Sequence, residues 1–186
     1  MEENVLICRL REGDYEAIDE IVEKYKNPLF AFILRIINNH ETAEDIFQET
    51  WLRVIRYIHS FRSESKFSTW LFQIALNLCR DSEREKKRWL SVPIEDHEDS
   101  FICEPEINPA RIFEAHQVRK IVSELPAKMR EVIILRYFHD LNDQEISEIV
   151  GCPVGTVKSR LYRASEILRN KWNCLNHRKI PDREKS

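Results

Sequence analysis

At 186 residues, with 42% hydrophobic and 33% charged side chains, the chain has material for one or two small domains, each near the lower size limit for a self-sufficient core. Five widely spaced cysteines without a Cys-x-x-Cys pair argue against a disulfide framework or zinc site, the longest apolar run (Leu29 to Leu34) is too short for a bilayer, and the Met-Glu-Glu start is unlike a signal peptide, so a cytoplasmic protein without membrane insertion is expected. The net charge of −3 hides an asymmetry: residues 1–50 hold twelve acidic against five basic side chains and residues 154–180 seven basic against one acidic, which points to two partners of opposite sign.

In chain order, Glu3 to Arg11 reads as a short helix, broken and recapped at Gly13-Asp14. Tyr15 to Ile37 follows with Ile18, Ile21, Val22 and Tyr25 as an apolar stripe. Pro28 either kinks or divides it, and Asn38-Asn39-His40 ends it. With three glycines and no strand-like alternation in the chain, an all-α fold is expected. Glu41 to His59 repeats Ala43, Ile46, Phe47, Thr50, Trp51, Val54, Ile55 and Ile58 at helical spacing, a wide face to bury. Its far side carries Asp45, Gln48, Glu49, Leu52 and Arg56. An apolar residue rimmed by carboxylates has the makings of a docking patch for arginines, although a single exposed leucine is ordinary on any helix.

Ser60 to Ser68 reads as a polar loop holding Phe61, Arg62, Lys66 and Phe67. Ser68 is placed as the cap of the next helix, with Phe67 and Phe72 at staple spacing. That helix, Thr69 to Trp89, buries Leu71, Ile74, Ala75 and Leu78. Another face lines up Gln73, Asn77, Arg80 and Arg84, with Trp70 one turn before and the run Lys86-Lys87-Arg88 beyond. Amides and guanidiniums hydrogen-bond base edges or phosphates, and aromatics stack on exposed bases, so this face suits nucleic acid as well as it suits water.

Residues 91–109 hold six acids, no Lys or Arg and three prolines, a composition expected to stay extended as a flexible linker between two helical domains. Near the C-terminus, Asn142 to Arg163 reads as a helix-turn-helix. Asn142 and Glu145 form a capping-box-like pair, Gly151 suits the turn, and Pro153 suits the start of a second helix. Val157, Leu161, Ala164 and Leu168 form a seam expected to pack on the first helix. The opposite side presents Gly155, Thr156, Lys158, Ser159, Tyr162 and Arg163, an inventory suited to a recognition helix entering a major groove.

Two sets of motifs then give the chain a likeness. Ala43-Glu44-Asp45-Ile46-Phe47-Gln48-Glu49-Thr50, Phe67-Ser68-Thr69-Trp70-Leu71, and Asn77 with Asp81 and Arg84 resemble the second conserved region of bacterial RNA polymerase sigma factors. Leu125-Pro126, Arg130-Glu131-Val132, Leu135-Arg136-Tyr137, Glu145-Ile146 and the run from Pro153 to Leu161 resemble the fourth. With only a short linker between the blocks, the chain is similar to the extracytoplasmic-function (ECF) group of the sigma-70 family.

The resemblance implies region 2 over 1–90, a linker over 91–109 and region 4 over 110–175. It implies that Asp45, Gln48, Glu49 and Leu52 dock on the clamp of the polymerase core's largest subunit. Phe61, Arg62, Lys66, Trp70, Gln73, Asn77, Arg80 and Arg84 would hold the melted nontemplate strand of the −10 element, with one base flipped into a loop pocket. Gly155, Thr156, Lys158, Ser159, Tyr162 and Arg163 would read the −35 element as duplex. An anti-sigma factor is implied as a further partner, with no catalytic residue, metal or cofactor. Two rival readings remain. A stand-alone helix-turn-helix regulator would bind palindromic duplex as a dimer, which the second, single-strand-type face argues against. A nucleic-acid enzyme would need a metal or acid-base constellation that the spacings do not supply.

Overall fold

The computed structural model describes residues 2–14, 16–61, 65–89 and 109–177, the side chains of 2, 3, 109–115, 176 and 177 excepted. The chain forms two compact units, and among the described residues every regular element is helical.

The first unit opens with α1, Glu2–Arg11. Gly13, at φ +91°, turns the chain. Asp14 Oδ1 then accepts the Glu16 amide at 3.1 Å to start α2, Glu16–Ile37. Arg9 fastens this corner, donating to Asp14 at 2.8 Å and to Glu20 at 3.2 Å, and its hydrogen bond holds the Asp14 carboxyl below the usual carboxylate range. Pro28 does not divide α2. It is exposed, as is Lys24 one turn earlier, so the N–H that proline lacks is missing on the wet side of the helix.

Asn38, at φ +53°, ends α2, and Asn39 starts α3, His40–Tyr57, by accepting the Thr42 amide at 2.9 Å. A 3-10 turn, Ile58–Ser60, takes the last residues expected to be α-helical. The buried face of α3 centres on Ala43, Ile46, Thr50, Trp51 and Val54. Thr50 returns its hydroxyl to the Ile46 carbonyl at 2.7 Å, so burial leaves no donor stranded.

Helix α4 spans Phe67–Trp89, starting earlier than expected, and Ser68 lies inside it rather than capping it. The aromatic cluster explains the shift. Phe67 is buried with its ring 5.6 Å from Tyr25, 5.8 Å from Phe61 and 5.9 Å from Trp70, and the Trp70 amide bonds the Lys66 carbonyl, so the first turn begins at Phe67. The core of the unit joins Leu29, Phe32 and Ile33 of α2 to Ala43 and Val54 of α3 and Leu71, Phe72 and Leu76 of α4, with Phe32 and Phe72 edge to face at 5.0 Å. The last turns of α4 are exposed, ending in Trp89 at 86%.

The helices that follow are α5, Pro109–Ser123; α6, Ala127–Tyr137; α7, Asp143–Val150; and α8, Val154–His177, and the second unit takes residues 101–147 and 152–186. Pro126 starts α6 by offering its carbonyl to the amides of Met129 and Arg130 at 2.8 and 3.0 Å. Val132 to Leu135 are all buried, so α6 is the central helix of the unit. Helix α8 packs chiefly along α6 and then α5. Val157 and Ala164 are fully buried, whereas Leu161 and Leu168 are only half-buried.

Candidate nucleic-acid and docking surfaces

The helix-turn-helix is built by local hydrogen bonds. Asn142 Oδ1 accepts the amides of Gln144 and Glu145 at 2.9 and 3.0 Å, and Glu145 Oε2 accepts the Asn142 amide at 2.9 Å, a reciprocal capping box. Arg136 approaches from the end of α6, donating to the Leu141 carbonyl at 2.9 Å with Asp143 at 3.6 Å, and so ties the connector to the first turn of α7. Gly151, at φ +70°, makes the turn. Ser147 and Cys152 bond each other across it, hydroxyl to carbonyl at 2.7 Å and amide to carbonyl at 3.2 Å. Sequence reading missed the roles of Arg136 and Ser147, because neither side-chain bond follows an N-capping or intrahelical spacing, whereas the Cys152 amide to the Ser147 carbonyl is the six-to-one bond of a glycine C-cap. Asn142→Ala is expected to cost the second unit about 1 kcal/mol, seen by calorimetry of the full chain as a fall of roughly 4–8 °C in its midpoint.

These bonds deliver the outer side of α8. Lys158, Ser159, Tyr162 and Arg163 are exposed, Tyr162 at 67%, while Thr156 is half-buried. A Cβ added at Gly155 would meet no atom within 4 Å, so its surface is open to a close approach. Ser159 bonds back to the Thr156 carbonyl at 2.9 Å. Among the described residues, Lys158 and Arg163 form no ion pair, so both cationic heads are available to an anion.

In the first unit, the α4 strip places Asn77 and Arg84 in solvent, with Gln73 and Arg80 on the same line. Arg84 pairs with Asp81 at 2.9 Å, an exposed bond that is cheap to break. Trp70 is half-buried, its ring 5.2 Å from Phe61. Phe61 is only 4% exposed, so it backs the tryptophan from inside the core and offers no face of its own. Lys66 is exposed, and Arg62 lies outside the described residues.

On α3, Asp45 and Gln48 are exposed and Leu52 stands 56% exposed among them. Glu49 is half-buried and bonds Arg53 at 2.9 Å, a cation at the edge of the acidic patch that sequence reading did not include. A separate cavity of about 620 Å³ lies between α5 and α8, lined by His116, Ile121, Cys174, Leu175 and a Lys171–Glu124 ion pair. Among the described residues, no group of three or more His, Cys, Asp or Glu could hold a metal ion, and no helix is long and apolar enough to cross a membrane.

Comparison with known proteins maps onto the same two units. Residues 21–89 match the family described as Sigma-70 region 2, and residues 115–168 match Sigma-70, region 4. The chain is 35% identical over 179 residues to the ECF RNA polymerase sigma factor SigW of Bacillus subtilis, covering 91% of this chain and 96% of that one. It is 31% identical over 186 residues to the ECF RNA polymerase sigma-E factor of Escherichia coli K12, covering 95% and 97%. Among solved structures, the sigma factor RpoE of Bartonella quintana, in complex with the anti-sigma factor NepR, superposes with a TM-score of 0.71 at 26% identity, covering 84% of this chain and 96% of that one.

Proposed function

As a member of the sigma-70 family, in its extracytoplasmic-function group, this chain binds RNA polymerase core and recognises promoters, and we propose that its two units divide that work by promoter element. Residues 1–90 bind core and the −10 element, 110–175 bind the −35 element, and 91–109 join them. The observation that carries the division is the pair of unlike surfaces: exposed Lys158, Tyr162 and Arg163 on α8, and an acidic, Leu52-centred face on α3 in the other unit.

Asp45, Gln48, Glu49 and Leu52 meet the basic clamp of the largest subunit, which accounts for the acidic N-terminal half. Gln73, Asn77, Arg80 and Arg84, with Arg62 and Lys66, hold the nontemplate strand as the duplex opens. Trp70 offers the stacking surface and Phe61 supports it from behind. Flipping one base out costs a few kcal/mol, which stacking and edge contacts return. Gly155 lets the backbone approach the groove while Thr156, Lys158, Ser159, Tyr162 and Arg163 read the −35 duplex. The family acts without enzymatic activity, and this chain is proposed to act likewise, in the cytoplasm, with an anti-sigma factor as its inhibitor. A stand-alone dimeric regulator is not favoured, since it leaves the α3 face without a use.

Gel shift on promoter fragments, with and without core polymerase, tests the reading. Sequence-specific binding is expected only with core, accompanied by permanganate-reactive thymines in the −10 element. Equally tight, specific binding by the chain alone would sink it.

A further inference from the structure

We infer that Ser147 is a positioning residue for base reading at the −35 element, its hydroxyl setting the tilt of α8. The inference rests on the proposed assignment of α8 to that element. A serine inside a helix ordinarily returns its hydroxyl to the carbonyl three or four residues back. Ser147 instead reaches forward over the turn to the Cys152 carbonyl at 2.7 Å, and the Cys152 amide answers at 3.2 Å. The two residues thus exchange hydrogen bonds on either side of Gly151, whose φ of +70° makes the bend.

The Cys152 carbonyl needs that donor. The first turn of α8 is bonded from Thr156 and Val157 back to Pro153, at 2.8 and 3.1 Å, so the helical ladder starts one residue too late to use Cys152. Pro153 itself has no N–H to offer. The residue is half-buried, where an unmet carbonyl is costly.

The lever arm makes this matter for reading. Arg163 lies ten residues beyond Pro153, about 15 Å along the helix. A tilt of about 10° at the turn would move its backbone by roughly 2–3 Å, well outside the tolerance of a bidentate base contact. The packing of α8 along α6 makes no use of that hydroxyl. The hydroxyl therefore acts on aim more than on existence of the fold.

The test uses holoenzyme reconstituted from the full chain and core polymerase, competing a promoter selected by the parent holoenzyme against the same promoter with its −35 element scrambled. S147A is expected to lower the preference roughly three- to tenfold, the worth of one hydrogen bond, with helicity and core affinity unchanged. S147T, which keeps the hydroxyl, is expected to restore it. The carbonyl 13C resonance of Cys152 should shift in S147A and return in S147T. An unchanged preference in S147A, an equal loss on both promoters, or a loss of helicity would each overturn the inference. So would failure of S147T to recover the preference although its Cys152 resonance is parental. A parent holoenzyme indifferent to scrambling would remove the assignment of α8 itself, and this inference with it.

Discussion

Asp45→Arg is expected to abolish binding to polymerase core, weakening it a hundredfold or more. The carboxylate stands exposed on α3 beside Gln48 and Leu52, so a basic partner surface would meet a cation where it had met an anion. Like-charge contact at an interface costs several kcal/mol, and every 1.4 kcal/mol is tenfold in affinity. The fold should not respond. The site is on the solvent side of its helix, where substitutions usually stay within about 0.5 kcal/mol, and arginine is the better helix former. Size-exclusion or fluorescence binding to core, with circular dichroism as control, decides it. Retained affinity would remove the α3 face as the docking surface.

Arg163→Ala is expected to cost about 1–3 kcal/mol of discrimination at one position of the −35 element. Arg163 is exposed on the outer side of α8 beside Tyr162, and its guanidinium is suited to guanine O6 and N7 together. Arg163→Lys should not rescue it, since a single ammonium lacks the paired donors. Holoenzyme competition across single-base −35 variants reads the effect. A loss spread evenly over all variants, with a shallower salt dependence, would make Arg163 a phosphate contact instead.

How much of this was legible in the residues depended on range. The capping box at Asn142 and Glu145 was readable because both partners sit in one turn and their chemistry admits few other arrangements. The same holds for Gly13-Asp14 and for the turn at Gly151. By contrast, α6 has no polar stripe to betray its period, since Glu131 to Leu135 are all buried, and only the family resemblance drew attention to it. Phe61 read as part of a polar loop, yet it is drawn inside by Phe67 and Trp70, a tertiary pull that spacing does not record. The start of α4 moved for the same reason. On the docking face the sign of the charge was legible, whereas the hold of Arg53 on Glu49 was not.

The exposed indole that ends α4 gives the protein a native optical reporter. Of its four tryptophans, Trp51 is sealed in the core while Trp89 stands in water, so a collisional quencher such as iodide reaches the second far sooner than the first. Steady-state emission can therefore be sorted by accessibility without attaching a dye, and whatever covers the tail of that helix will announce itself as a blue-shifted, quencher-resistant fraction.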